Sequence, residues 1–112
     1  MIHENGIFYA GFAFGLQRSP DAVSWTDLPN TPGLIGGGLA SDGQTVFAAS
    51  RGSGTLPYVT SPVTDGLTWT NLMPPSPLVK PEDGAYSLAT DNSHHILYSA
   101  NQGSGLFRMT TQ

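Results

Sequence analysis

An internal repeat constrains this chain more than any other feature of its sequence. Residues 19–29 read SPDAVSWTDLP, and residues 61–74 return the same order of residue types as SP, DGLTWTNL and a closing proline. The tryptophans of the two copies, Trp25 and Trp69, stand 44 positions apart. A period of about 40–50 residues indicates repeated supersecondary units that need neighbours, because one unit cannot bury both of its faces.

Short runs of β-branched and aromatic residues recur at equivalent places, over residues 7–10, 45–49 and 96–100. Polar turn signals precede them, including NG at residues 5–6 and DG at residues 42–43, which are strong hairpin dipeptides. No window of about 11 or more residues keeps apolar residues at the helical positions i, i+3, i+4 and i+7. The pattern therefore predicts an all-β chain.

The predicted strands fall into three units, which span approximately residues 1–33, 34–82 and 83–112 of a single segment, 1–112. With strands lettered A to D from the inside outwards, the chain reads B-C-D, A-B-C-D and A-B-C. That order gives ten strands, with strand A of the first unit cut off at the start of the chain. We expect strand A near residues 36–40 and 85–90, strand B at the three runs above, strand C near 16–19, 56–60 and 106–110, and strand D at Trp25 and Trp69.

Composition limits the classes of partner. Only 11% of the residues are charged, the net charge is −4, and no lysine or arginine run occurs. Nucleic acid and anionic membrane surfaces both require clustered positive charge, so neither is expected as a partner. The chain has no cysteine, which excludes a disulfide framework and thiolate metal ligands and leaves the cellular compartment open.

The motif around the tryptophans resembles the Asp-box, or BNR repeat, of sialidase-type and related β-propellers. That family pattern runs Gly-(Leu/Ile)-(Tyr/Phe)-(Arg/Lys)-Ser-x-Asp-x-Gly-x-Thr-Trp. Residues 15–21 (GLQRSPD) match its first half, and residues 65–69 (DGLTW) match its second half. The resemblance implies propeller blades, each a four-stranded antiparallel sheet. Together with the long repeat it favours a β-propeller over the alternative, a β-sandwich of short strands.

The resemblance also implies a structural role for the Asp and Trp residues. In that family the carboxylate accepts hydrogen bonds from backbone N–H groups of a turn, and the tryptophan packs between sheets. The alternative is an exposed tryptophan that stacks on a sugar. The structural Asp-box residues are then Asp21, Trp25, Asp65 and Trp69. The side chains expected to be buried are both tryptophans and Phe8, Phe47 and Leu97 of strand B.

A catalytic constellation is not recognisable in the sequence. Sialidase-type catalysis needs an arginine cluster. Arg18 and Arg108 instead occupy equivalent positions of the repeat, because residues 105–110 (GLFRMT) match residues 15–20 (GLQRSP). The adjacent carboxylates at residues 82–83 point apart on an extended chain, which does not suit a glycosidase pair. The adjacent histidines at residues 94–95 are typical of a solvated turn. We therefore predict no enzymatic activity, no cofactor and no metal site.

In a propeller the B–C loops and D–A connectors share one face. Amide and hydroxyl groups beside an aromatic ring suit neutral sugars. We predict a non-catalytic, lectin-like module that binds glycans. The alternatives are a fragment of a larger propeller enzyme whose catalytic residues lie outside this chain, and a propeller with a structural or protein-interaction role. The candidate ligand-binding residues are Phe12, Phe14, Arg51, Ser53, Asn101, Gln102 and Ser104.

Unpaired sheet edges at both ends of the predicted strand order indicate association with another chain. Two copies of three units make six, which lies within the range of about 4–8 blades that close a propeller. A two-fold homodimer is the simplest such assembly. The alternative is completion by other propeller segments of a longer protein.

Overall fold

Three antiparallel β-meanders follow one another along the chain, and neighbouring strands within each are consecutive in sequence. No helix occurs in the part of the chain that the structure describes, and none of its sheets is closed into a barrel. The prediction of an all-β chain with antiparallel sheets is therefore confirmed. The structure, a computed structural model, describes residues 1–12, 15–28, 36–50, 58–72, 85–101 and 105–111.

The three predicted runs of strand B are the second strands of the three meanders. Sheet 1 contains β1 (Ile2–Glu4), β2 (Ile7–Phe12), β3 (Gly15–Ser19) and β4 (Thr26–Asp27). Sheet 2 contains β5 (Gly36–Ser41), β6 (Thr45–Ser50), β7 (Tyr58–Pro62) and β8 (Thr70–Asn71). Sheet 3 contains β9 (Ala85–Asp91), β10 (Ile96–Asn101) and β11 (Gly105–Thr110).

Strand β1 corrects the sequence prediction, which had strand A of the first unit cut off. Ile2 lies opposite Tyr9 in the antiparallel pair of β1 with β2. The two strands are joined by Asn5 and Gly6, whose φ angles of 50° and 78° both lie in the left-handed region. A two-residue Asn-Gly turn of this kind matches the twist of flanking strands. The described residues thus form eleven strands rather than ten.

The fourth strands are also placed differently from the prediction. Trp25 and Trp69 precede β4 and β8 instead of lying within them. Each of these strands is two residues long and pairs with the third strand of its sheet. The tryptophans instead end the turn that leads into each fourth strand.

Sheet 2 is buried on both of its faces, which sets the order in which the sheets pack. Along β6 the side chains alternate, as they must in an extended strand. Val46 and Ala48 belong to a core shared with sheet 1, whereas Phe47 and Ala49 belong to a core shared with sheet 3. Sheets 1, 2 and 3 are therefore stacked face to face in series.

Two apolar cores lie between the stacked sheets. Burying a side chain the size of leucine or phenylalanine stabilises the folded state by about 1.5–3 kcal/mol, so these contacts hold the series together. The core between sheets 1 and 2 contains Tyr9, Leu16, Leu28, Val46, Ala48, Val59 and Trp69. The core between sheets 2 and 3 contains Ala40, Phe47, Ala49, Leu88 and Leu97.

The inner strands of sheets 2 and 3 approach one another closely. A Cβ atom built on Gly38 of β5 would collide with the backbone of Ser87 and Leu88 in β9, so this crossing requires a glycine. Nearby, the hydroxyl groups of Tyr58 and Ser99 lie 2.7 Å apart and link the same two sheets. Side-chain volume and polar pairing therefore both fix how sheet 3 sits on sheet 2.

Hydrogen bonds between neighbouring sheets hold several turns together at one end of the stack. The Asn5 side-chain amide donates to the Val63 carbonyl at 3.1 Å, and the Thr90 hydroxyl donates to the Ser41 carbonyl at 2.8 Å. These contacts bring the β1–β2, β5–β6 and β9–β10 turns to one end of the stack, which we call the turn end. Strands β2, β6 and β10 end, and strands β3, β7 and β11 begin, at the opposite end, which we call the loop end.

Burial of the predicted core side chains is only partly as expected. Phe47 and Leu97 are buried, at 5% and 2% exposure. Phe8 is wrong as a core prediction, because it is half-buried on the face of sheet 1 that points away from sheet 2. Its ring stacks on His3, with the ring centroids 4.2 Å apart and the planes inclined by 23°. Alternation along β2 places Tyr9, not Phe8, in the core.

Candidate functional site

The two copies of the repeated motif form turns of the same geometry at the turn end. We call residues 20–25 the first Asp–Trp turn and residues 62–69 the second. In each, an aspartate side chain accepts a hydrogen bond of 2.8 Å from the backbone N–H three residues later, that of Ser24 or Thr68. In each, the indole Nε1 donates at 3.3 Å to the carbonyl oxygen of the residue after the aspartate.

Asp21 is held by several donors. Its Oδ1 atom accepts from the backbone N–H groups of Val23 and Ser24, both at 2.8 Å, and from the Ser19 hydroxyl at 3.0 Å. The Ser19 side chain is fully buried, and its oxygen also accepts from the N–H of Ala22 at 2.8 Å. The Ser24 and Val23 N–H groups, followed by the Ser19 hydroxyl, hold the pKa of Asp21 below its ordinary value because they favour the charged carboxylate.

Asp65 is held in the same way, and a cation adds to the effect. The backbone N–H of Thr68, followed by the Thr68 hydroxyl, lowers the pKa of Asp65 below its ordinary value. The positive charge of Arg18, on sheet 1, contributes in the same direction. Arg18 Nη1 also donates at 3.3 Å to the Asp65 carbonyl oxygen. The second Asp–Trp turn is therefore a contact point between sheets 1 and 2.

Trp69 packs into the core between sheets 1 and 2, where it is 7% exposed. Its indole and the ring of Tyr9 form a T-shaped pair, with centroids 6.0 Å apart and planes inclined by 78°. Burial raises the pKa of Tyr9 above its ordinary value, since the phenolate is poorly solvated there. The predicted packing of this tryptophan between sheets is present.

Trp25 is half-buried, so the prediction that it is a core residue is wrong. It keeps the indole hydrogen bond to Ala22 but is not part of either core cluster. The reason is its position in the stack, because the first Asp–Trp turn belongs to sheet 1 at the end of the series. The sequence motif predicts the same burial for the two tryptophans, whereas their burial differs because, within the described part of the chain, only the second turn has another sheet packed against it.

Two other aspartates at the turn end, Asp42 and Asp91, also accept hydrogen bonds from backbone N–H groups of turns. Asp42 Oδ1 accepts from the backbone N–H groups of Gln44 and Thr45 at 2.9 and 2.7 Å. Asp91 pairs with the His94 ring nitrogen Nδ1 at 2.8 Å. That contact, with the His94 and Ser93 N–H groups, lowers the pKa of Asp91 below its ordinary value. Turn formation accounts for these acidic residues.

Metal ligation finds no support within the described ranges, where no group of three or more His, Cys, Asp or Glu side chains is gathered closely enough to hold an ion.

The part of the chain that the structure describes includes no apolar helix of membrane-spanning length.

Two of the predicted ligand-binding residues, Phe12 and Asn101, lie at the loop end. Phe12 closes β2 there and is half-buried. Asn101 closes β10 at the same end of the stack. The remaining candidates, Phe14, Arg51, Ser53, Gln102 and Ser104, lie outside the described residues.

Sequence reasoning missed the role of Tyr9 and Arg18 as a pair. Tyr9 lies opposite Arg18 in the pairing of β2 with β3, and both side chains reach the second Asp–Trp turn. The available signal was that Tyr98 and Arg108 repeat the pair at equivalent positions.

Comparisons with protein-family models, with curated proteins and with solved structures each found no match to this chain.

Proposed function

We propose that this chain forms blades of a β-propeller and acts as a non-catalytic binding module whose ligands are neutral glycans. The observation that carries the proposal is the stack itself. Three meanders pack in series, and their second strands all finish at the same end of the stack. Loops gathered at one end of a rigid scaffold are a common site of binding, because the sheets hold them without using the loop residues for the core.

Glycan is the preferred ligand class because of the residues that these connections carry. Their sequences, FAFG at residues 12–15, SRGSG at 50–54 and NQGSG at 101–105, combine amide and hydroxyl side chains with phenylalanine rings. Sugars present hydroxyl groups at their edges and apolar C–H faces, which such a set can recognise. One arginine and no acidic residue in these stretches favour neutral over cationic ligands.

The non-catalytic part of the proposal is supported by the use of the carboxylates. Those of Asp21, Asp42, Asp65 and Asp91 accept backbone N–H groups in turns. These turns lie at the end of the stack opposite the loop end. A carboxylate held in this way stabilises the turn. The lowered pKa values of Asp21, Asp65 and Asp91 also disfavour service as a general acid.

Binding of the 112-residue chain to an array of neutral oligosaccharides tests the proposal. We expect Phe12→Ala and Asn101→Ala to weaken binding about tenfold, the loss typical of a contact at the centre of a site. The melting temperature should stay close to that of the wild type. Asn92→Ala is the matched control, since Asn92 is an exposed amide at the turn end.

Two outcomes would contradict the proposal. If no glycan binds, the ligand class is wrong and the protein-interaction alternative replaces it. If Asn92→Ala weakens binding as much as Asn101→Ala, the binding surface is not at the loop end.

A further inference from the structure

The side chains through which sheet 1 contacts sheet 2 include Tyr9, Leu16 and Arg18, which we call the front trio of sheet 1. Tyr9 and Leu16 are 1% and 2% exposed, and Arg18 donates to the carbonyl of Asp65. The three share one face because Tyr9 lies opposite Arg18 in the strand pairing and residues 16 and 18 alternate with residue 17. The trio is therefore a substantial part of the contact between sheets 1 and 2.

Sheet 3 carries the same trio on the face that points away from sheet 2. Tyr98 lies opposite Arg108, and Leu106 stands two residues before Arg108, as in sheet 1. The intervening residues Leu97 and Ser99 face sheet 2, which turns Tyr98 to the other side. Here the leucine is 68% exposed, the arginine is exposed and the tyrosine is half-buried. These three residues are the front trio of sheet 3.

The surface that receives the front trio of sheet 1 also has a counterpart. On sheet 2 it includes the back set Val46, Ala48 and Trp69, which are 0%, 0% and 7% exposed. By strand register and by the repeat, sheet 1 carries an equivalent set on the face that points away from sheet 2. That back set of sheet 1 is Phe8, Ala10 and Trp25, all of which are half-buried.

We propose that the front trio of sheet 3 docks on the back set of sheet 1 of a second copy of this chain. The contact continues the established series of interfaces, because each docking face repeats a face that is already buried inside the chain. Tyr98 would meet Trp25 as Tyr9 meets Trp69. The charges agree as well, since Arg108 would approach Asp21 as Arg18 approaches Asp65.

The contact joins two different faces, so it is head-to-tail and either closes into a ring or extends. Each copy contributes three sheets, and a pair of copies that closes would contain six. The proposal concerns faces of the sheets and does not depend on glycan binding at the loop end.

One position departs from the equivalence. A Cβ built on Gly66 would collide with the Tyr9 hydroxyl, and the corresponding residue of sheet 1 is Ala22. The Ala22 methyl group therefore stands where the Tyr98 hydroxyl of the other copy would lie. The contact between copies is expected to be looser than the internal one, and Ala22→Gly is expected to tighten it about threefold, since a small steric relief at an interface changes affinity modestly.

Sedimentation or light scattering of the full chain over about 1–100 µM, the range of moderate affinities, tests the assembly. We expect masses that rise with concentration to a multiple of 11.8 kDa. Leu106→Asp blocks the front trio of sheet 3 and should raise the dissociation constant about tenfold or more. Leu67→Asp is the matched control, since this leucine is 52% exposed on sheet 2 and belongs to neither docking face. It should leave the mass unchanged.

A mixing experiment identifies the head-to-tail geometry. The Ala10→Glu variant has a blocked back set on sheet 1 and an intact front trio on sheet 3. The Leu106→Asp variant has an intact back set on sheet 1 and a blocked front trio on sheet 3. At a concentration where the wild type is just assembled, each variant alone should stay near 11.8 kDa, whereas an equimolar mixture should form a one-to-one complex. If both variants melt at the same temperature as the wild type, misfolding is excluded as the cause of the lost association.

Three results would overturn the proposal. Wild-type protein that stays at 11.8 kDa over the whole range excludes a second copy as the occupant of these faces. A dimer whose two variants do not complement one another uses a symmetric contact instead. An Ala22→Gly variant that dissociates more readily than the wild type would show that Tyr98 and Ala22 do not meet as the equivalence requires.

Discussion

The two Asp–Trp turns have the same internal hydrogen bonds and different surroundings. In both, the carboxylate accepts at 2.8 Å from the third following N–H, and the indole donates at 3.3 Å to the residue after the aspartate. Yet Trp69 is 7% exposed, whereas Trp25 is half-buried. The turn geometry is thus a local property of the motif, and the packing of its tryptophan depends on which sheet lies against it.

The residues that follow the two aspartates also share a backbone conformation and differ in their surroundings. Ala22 and Gly66 both adopt the left-handed region, with φ angles of 62° and 67°. The first turn tolerates an alanine, which is strained there, while the second has a glycine pressed by the Tyr9 hydroxyl. Both turns require a left-handed backbone at this residue, and packing against sheet 1 additionally restricts the second turn to a residue without a side chain.

The largest expected effect is the difference between the two tryptophans. Trp69→Ala should lower the free energy of unfolding by about 3–5 kcal/mol, because it empties a large site in the core between sheets 1 and 2. Trp25→Ala should cost about 1 kcal/mol, in keeping with a half-exposed position. Urea denaturation followed by circular dichroism measures both, at a protein concentration low enough to keep the chain monomeric. Equal losses for the two variants would mean that Trp25 is as well packed as Trp69.

A smaller effect is expected at the left-handed residues. Gly66→Ala should destabilise by about 2–4 kcal/mol, since it adds left-handed strain and a collision with Tyr9. Ala22→Gly should stabilise by about 0.5–1 kcal/mol, because relief of the same strain exceeds the entropy that glycine adds to the unfolded chain. Chemical denaturation of both variants measures the two changes. A destabilised Ala22→Gly variant would contradict the equivalence of the two turns.

The smallest effect is expected from acid. The folded-state pKa values of Asp21 and Asp65 lie below their ordinary values, so the unfolded chain binds more protons than the folded one in acid. Their contribution to stability is complete above the unfolded value of about 3.9 and is lost as the pH falls through the folded values. Melting temperatures between pH 7 and pH 3 should therefore fall at the acidic end.

The control for the acid effect uses the amide analogues. Asp21→Asn and Asp65→Asn keep a side-chain oxygen that can accept the turn N–H groups but do not titrate. Each should show a flatter fall in melting temperature between pH 5 and pH 3 than the wild type, within the window set by the ordinary aspartate value of about 3.9. Variants as acid-sensitive as the wild type would place the relevant titration elsewhere.

Local sequence signals predicted the strands and most of the turns. The β-branched runs became β2, β6 and β10, and the Asn-Gly dipeptide at residues 5–6 became a two-residue turn with positive φ at both positions. Strand β1 was missed, although a hairpin turn requires a strand on each side, because three residues carry too little pattern on their own. The candidate glycan residues stay predictions, since most of them lie outside the described residues.

By itself the sequence determined the strands, the consecutive pairing within each meander and the hydrogen bonds of the Asp–Trp turns. Those features depend on residues close together in the chain, whose backbone preferences and short side-chain contacts are the same wherever the motif occurs. Only the tertiary structure decided that Tyr9 and Trp69 are buried while Phe8, Trp25 and Leu106 are not. Burial depends on whether another sheet packs against a face, and equivalent residues in a repeat differ in burial according to their place in the stack.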